Sequence, residues 1–335
     1  MNIKVVSDKH EWDGWIRNHS FLNPFTQSWM WGDVLISEGK TVERLAIVNG
    51  EETVAQVQIV YSKILFGWQY AFCPKGPVID VVKHVQAEAE IYKTIIAFLR
   101  KKNVVFFRCE PSSAPANIGV RAVRTVDINP PATLILNLNK SADELRAGMH
   151  PKTRYNIALA QKKHITVKQG KDFSIFWQLM NKTGRRDNFS LHHKTHYEKV
   201  LAASDVFQLT AYTNKTPIAC AVFIGFGNAF TYLYGASDYE YRNIMAPYLL
   251  QWEGVEMGND YGSAWYDFFG VAPNLSEPSK SSEYNYDPKH QYAGVTRFKL
   301  GFGGVPYQDP GTFDLVVQKY RYAVYMLMRT VRRWV

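Results

Sequence analysis

The sequence predicts an α/β protein built as two similar halves, each a mixed, mainly antiparallel sheet flanked by helices. Three observations carry that prediction. The chain has 335 residues, more than one hydrophobic core ordinarily serves. A hydrophobic share of 46% and an aromatic share of 14% supply material for two cores and exclude a disordered chain. One order of elements, antiparallel strands followed by a helix and a further strand, occurs twice, as a duplication of element order and not of residue identity.

In the first half, residues 54–61 (VAQVQIVY) read as a strand and Val85 to Arg100 as an amphipathic helix. The short apolar run 104–109 (VVFFRC) reads as a strand that enters Glu110-Pro111. The second half opens near Ser141, which with Glu144 forms a capping box for the helix that follows. Strands are expected at 206–212, 217–226 and 230–236, then a helix from about Ala246 to Asp260 and a strand at 264–269.

Several classes are excluded. No run approaches the roughly 18 consecutive apolar residues of a membrane span, and Met1 to Asp8 lacks the apolar core of a signal peptide, so a cytoplasmic protein is expected. Cys73, Cys109 and Cys220 are far apart and follow no metal or redox spacing, which reads as three buried reduced thiols. The cluster His192, His193 and His196 lacks a carboxylate or cysteine at ligand spacing, and no metal is expected.

The net charge is +9, and its placement is more telling than its size. Residues 146–171 hold seven Lys or Arg and no acid, and residues 318–335 repeat the pattern. There Lys319, Arg321, Arg329, Arg332 and Arg333 are interleaved with Tyr320, Tyr322, Tyr325 and Trp334. Two acid-free basic stretches point to a polyanionic partner; the alternative is a pair of solvated helix faces.

Residues 293–304 (AGVTRFKLGFGG) place Lys299 between aromatic rings and a glycine-rich bend. Such a setting holds a fixed positive charge beside a reacting carbonyl and keeps water out, which suggests acyl transfer. The alternative is a lysine ending an edge strand. The element order also resembles the GNAT-like N-acetyltransferase fold, in which a glycine-rich turn holds the coenzyme A pyrophosphate. Here Met245 and Pro247 stand where close approach needs small residues and a free N–H, so coenzyme A is not expected.

Six stretches resemble the Fem family of aminoacyl-tRNA-dependent transferases, which add amino acids to the stem peptide of peptidoglycan precursors. They are 26–32 (TQSWMWG), 74–77 (PKGP), 149–157 (MHPKTRYNI) running on to Ala160, 245–248 (MAPY), 266–270 (YDFFG), and 294–304 followed by 310–314 (PGTFD). Their order matches the family's, and together they cover nearly the whole chain. The resemblance implies two tandem GNAT-like domains. The first spans 1–145 with 308–335 returning to complete it and binds the acceptor precursor; the second, 146–307, takes the aminoacyl-tRNA on its basic face.

The resemblance also implies roles. Lys299 stabilises the oxyanion formed when the stem-peptide amine attacks the aminoacyl ester, and Phe298 shapes the donor site. Glu110 holds or deprotonates the acceptor amine, with pairing to Arg108 as the structural alternative, and Lys75 lines the same cleft or faces solvent. Arg154, His193, Tyr197 and Tyr248 recognise phosphate and carboxylate groups, and Arg297 is a further substrate-binding candidate. No cofactor is implied beyond aminoacyl-tRNA as co-substrate. The acceptor is lipid II or UDP-MurNAc-pentapeptide. Asp33 stands where soluble-precursor enzymes of the family place a diphosphate-binding lysine, and an acid repels phosphate, which favours the lipid-linked acceptor and peripheral contact with the inner membrane leaflet. Lys182 to Lys199 leaves no room for the helical arm of some members. The chain therefore resembles the arm-free type, which adds a first residue to an unmodified stem, and a monomer is expected. Two other readings are a coenzyme A dependent N-acyltransferase and a non-catalytic RNA-binding protein.

Overall fold

The structure, a computed structural model, describes residues 1–80, 87–187, 189–275 and 284–332. The start of the expected helix at Val85, together with Arg333 and Trp334, lies outside the described residues. The chain divides into two compact units, Met1–Pro131 with Asp309–Val335, and Ala132–Gln308.

Strands of the first unit are β1 (Asn2–Val5), β2 (Thr41–Asn49), β3 (Glu52–Lys63), β4 (Gln69–Cys73), β5 (Val78–Ile79), β6 (Val104–Cys109) and β7 (Ala122–Arg124). The second unit holds β8 (Ala132–Asn137), β9 (Thr166–Gln169), β10 (Val206–Thr213), β11 (Thr216–Phe226), β12 (Ala229–Ser237), β13 (Trp265–Asp267) and β14 (Val305–Gln308). The last strand, β15 (Phe313–Val316), returns to the first sheet. Among the described residues the sheet orders are β1-β2-β3-β4-β6-β15-β7, with β5 paired to β3, and β14-β8-β13-β12-β11-β10-β9.

Reading the second sheet in reverse aligns the two place by place. Each has one parallel pair, β4 with β6 and β12 with β13, and the remaining pairs are antiparallel. Each parallel pair is joined through a helix, Glu88–Lys101 in one case and Ala246–Asp260 in the other, as a parallel pair requires. β15 lies between β6 and β7, the place β8 takes between β13 and β14. The boundary therefore falls at Pro131 and not at residue 145, because β8 pairs with β13 and β14 and belongs to the second sheet.

Local chemistry explains the elements. All six residues of β6 are buried, as suits a strand flanked on both sides and covered on both faces. The helix Glu88–Lys101 buries Ile91, Tyr92, Ile95, Ile96 and Leu99 along one face and carries Glu88 and Glu90 in its first turn and Arg100 and Lys101 in its last, matching the helix dipole. Ser141 and Glu144 form the expected capping box. Cys73, Cys109 and Cys220 are buried free thiols, and burial pushes the Cys220 thiol up to about 12. Among the described residues no helix is long and apolar enough to cross a membrane.

Candidate active site

The site grows from a single helix turn of the second unit. Helix Ala293–Leu300 buries Thr296 and Lys299, three residues apart and so on one face. Both hold the segment that leaves β13. Thr296 Oγ1 accepts from Ala272 N at 2.8 Å, while Lys299 Nζ donates to the carbonyls of Phe269 at 2.6 Å and Gly270 at 2.8 Å. Those carbonyls turn toward the lysine because the backbone bends there, with positive φ at Phe269 (52°) and Gly270 (23°). Asp267 fixes the bend from the other end, its Oδ1 accepting from Phe269 N at 2.8 Å and from Thr133 Oγ1 at 2.5 Å.

Electrostatics follow from this geometry. Lys299 is 5% exposed, and burial pulls its ammonium down to about 7, while the Asp267 carboxylate opposes that fall. The Tyr232 ring centroid lies 5.5 Å from Nζ. Next to it, Phe298 meets Tyr248 edge to face at 4.9 Å and Phe302 at 5.3 Å, and Phe302 in turn meets the buried Phe268 at 5.9 Å. The ammonium therefore stands beside the Tyr232 ring with two of its three donors engaged on backbone oxygen.

The glycines that follow are packed, not loose. A Cβ on Gly301 would stand 2.3 Å from Thr153 Oγ1, and one on Gly304, at φ 97°, would stand 2.8 Å from the Ile135 carbonyl oxygen. His150 N also donates to Gly301 O at 2.9 Å. The bend thus seats the helix Pro151–Lys162 against the Lys299 helix. That helix presents Lys152, Arg154, Tyr155 and Lys162 to solvent, and Lys163 follows exposed at its end. A cavity of about 340 Å³ in the same unit is lined by Lys140, Glu144, Phe302, Gly303 and Gly304 among others. Lys299 is not in its wall.

In the first unit, Glu110 is buried and accepts from Lys75 N (3.1 Å), Asn129 N (2.8 Å), Asn129 Nδ2 (2.7 Å) and Thr312 Oγ1 (3.1 Å). Four donors fill the acceptor capacity of a carboxylate, so Glu110 ties down the Lys75 turn. It does not pair with Arg108, which faces Asp314 across β6 and β15 in a two-pronged ion pair at 2.7 and 2.9 Å. Lys75, at φ 48°, does not face solvent; its Nζ donates to Pro130 O at 2.7 Å and Asp309 Oδ2 at 2.8 Å.

Of the residues read from the sequence, the structure thus sets Tyr248 against Phe298, the chain neighbour of Lys299, and Glu110 against Lys75. Others fall elsewhere. Arg297 is exposed, roughly 200° around the helix from Lys299. Arg154 donates to the carbonyls of Arg146, Ala147 and Met149 and so closes the helix Ala142–Ala147. His193 stands exposed at the N-terminal boundary of the helix Lys194–Ala202, its Nδ1 2.8 Å from the Thr195 Oγ1 side chain and not from a backbone N–H. Tyr197 is 2% exposed, packed against Phe176, Trp177 and Tyr234, and its hydroxyl accepts from His192 N. It supports the fold and offers no surface donor. The residues not singled out beforehand are Asp267, Thr133, Thr296 and Tyr232; Asp267 lies in the quoted stretch 266–270 and Thr296 in 293–304, neither with a role of its own.

Comparison with known proteins decides the family. The FemAB family profile matches residues 8–125, 118–205 and 206–330. The chain belongs to the FemAB family. The aminoacyltransferase FemA of Staphylococcus epidermidis is 22% identical over 149 residues, 44% of this chain and 33% of that protein. The lipid II:glycine glycyltransferase of the same species is 23% identical over 262 residues, 58% of this chain and 60% of that protein. The chain thus matches between a third and three fifths of these relatives' length. In fold, it aligns with the crystal structure of FemX at a TM-score of 0.81 and 17% identity, covering 97% of this chain and 99% of that one. A tandem GNAT protein from the clavulanic acid biosynthesis pathway aligns at 0.50 and 10% identity, over 94% and 99% of the two chains. The fold of this FemAB member is accordingly two tandem GNAT-like units.

Proposed function

We propose that this FemAB member transfers an amino acid from aminoacyl-tRNA to the lysine or diamino-acid amine of a peptidoglycan precursor's stem peptide, building the interpeptide bridge of the cell wall. The observation that carries this reading is the Lys299 ammonium, buried beside the Tyr232 ring and steered by two backbone carbonyls. Relatives named aminoacyltransferase and glycyltransferase support it.

In this reaction the neutral amine attacks the ester carbonyl carbon, whose oxygen takes on negative charge. Collapse breaks the ester bond; the ribose oxygen of the tRNA leaves with the proton the amine gives up, and an amide remains. Lys299 spends two donors on Phe269 and Gly270, and we assign the third to the oxyanion. Because the carbonyls already fix the nitrogen, little reorganisation accompanies charge development. Phe298 and Tyr248 form the apolar side of the donor site, and Lys152, Lys162 and Lys163 meet tRNA phosphates. The first unit takes the acceptor, with Glu110 as a positioning residue for the Lys75 turn. No cofactor enters.

For the acceptor, Asp33, which the resemblance puts where soluble-precursor enzymes carry a diphosphate-binding lysine, is paired with Arg44 Nη2 at 2.7 Å with its side chain 56% exposed, so this position offers phosphate an acid and no lysine. We therefore favour the lipid-linked precursor over the UDP-linked one, and a monomer working at the cytoplasmic face of the membrane. Purified protein with charged tRNA and each acceptor in turn tests this. Aminoacylation of lipid II at least tenfold faster than of UDP-MurNAc-pentapeptide is expected, and the reverse preference overturns the choice of acceptor. A melting temperature raised by coenzyme A would instead favour an acyl-coenzyme A donor.

A further inference from the structure

The helix Lys319–Arg332 packs Tyr322, Tyr325 and Met326 onto Phe106 and Val316 of the first sheet. Its opposite face, which in a solvated helix is charged, consists of Tyr320, Ala323, Val324, Leu327 and Thr330. Tyr320 is 91% exposed and Leu327 68%. Cations flank this uncharged stripe. Lys319 opens the helix and Arg321 reaches Asn103 Oδ1 at 2.6 Å, whereas Arg329 lies roughly 180° around the helix from Tyr320, on the packed side, with Nη1 2.9 Å from Thr125 Oγ1. No acid occurs between residues 318 and 335. Arg321 also lies over the Trp68 ring at 5.4 Å, and that ring is 5.2 Å from Phe66, which is 69% exposed in the turn Leu65–Gly67. Phe66 holds this place in a left-handed conformation (φ 60°), which a bulky side chain adopts at a cost.

We propose that the outer face of this helix, with Phe66 beside it, is a docking surface for an anionic lipid bilayer. Tyr320, Val324, Leu327 and Phe66 enter the boundary between headgroups and acyl chains, and Lys319 and Arg321 meet lipid phosphates at the rim. RNA is the poorer occupant, because the stripe offers phosphate only the Tyr320 hydroxyl, Thr330 Oγ1 being spent on Met326 O at 3.0 Å, whereas the Pro151–Lys162 helix is rich in exposed lysine. The inference extends the lipid-linked reading but uses none of its catalytic residues, so binding is measured with neither tRNA nor precursor present, and either idea can fail alone.

The experiment is co-sedimentation of the full chain with vesicles rich in phosphatidylglycerol and with vesicles of phosphatidylcholine alone. Wild type is expected to bind the anionic vesicles about tenfold or more tightly than the neutral ones. Leu327→Glu and Phe66→Glu each weaken that binding about tenfold or more while leaving the melting temperature unchanged, since both side chains are exposed. Absence of wild-type binding, or equal binding by both variants, overturns the proposal. So does a wild-type dimer that Leu327→Glu converts to monomer with vesicle binding intact, which assigns the face to a second copy of the chain.

Discussion

At the residue scale, Lys299 is a buried ammonium whose charge is disfavoured by desolvation and recovered in part from Asp267. Its cationic form is present below about 7 and lost as pH rises through that value, so an oxyanion role predicts an alkaline limb in kcat/KM near neutrality. Asp267→Asn keeps the acceptor for Phe269 N but withdraws the charge, which lowers the ammonium pKa further. The limb is expected to move to lower pH by about one unit, and a pH profile that does not move contradicts the assigned coupling. The lysine was legible in the sequence because it sits between aromatic residues and glycines. Its partners were not, since two are backbone carbonyls aimed by positive φ and the third lies 32 positions away, in a stretch without a role. Tyr197 was misplaced for a different reason. Tyr197, Val200 and Leu201 stand at i, i+3 and i+4 and are all buried, an apolar stripe that outweighs the polar His192–Thr195 run before it.

At the element scale, the strand and helix order was readable from periodicity, and the capping box at Ser141 marked its helix start. The helix Ala293–Leu300 was harder, and a lysine at the end of an edge strand stood as an alternative. Its eight residues mix β-branched and aromatic side chains, and only the spacing of Thr296 and Lys299 betrays the turn. The glycine bend behind it is a packing device. Gly304→Ala forces a Cβ against a backbone oxygen at a positive φ, which is expected to cost about 1–3 kcal/mol in urea unfolding. Gly294→Ala, with nothing within 4 Å of the added carbon, is neutral or stabilising by comparison. Equal stability of the two variants removes the bend from the account.

At the scale of the whole molecule, the duplication was visible in element order, and the return of the C-terminal segment was expected from the family resemblance. The place of β8 was not, because an isolated strand such as 132–137 carries no mark of which sheet it joins. β8 and β15 fill equivalent places in the two sheets, one drawn from before the second sheet's remaining strands and one from after them. Charge is also distributed at this scale, with the acid-free stretch 146–171 confined to the second unit. If that stretch carries tRNA, log affinity falls linearly with log salt concentration. Removing Lys152, Lys162 or Lys163 then lowers the slope by roughly one each, with little effect on which amino acid is transferred. A slope insensitive to all three substitutions places the tRNA elsewhere.

The most direct test of the central claim is the single-turnover rate of amide formation by Lys299→Met, given charged tRNA and a precursor with a free stem-peptide amine. The account predicts a fall of about 10²–10³ in rate with an intact fold and RNA affinity. Transfer at the wild-type rate in that variant would contradict it.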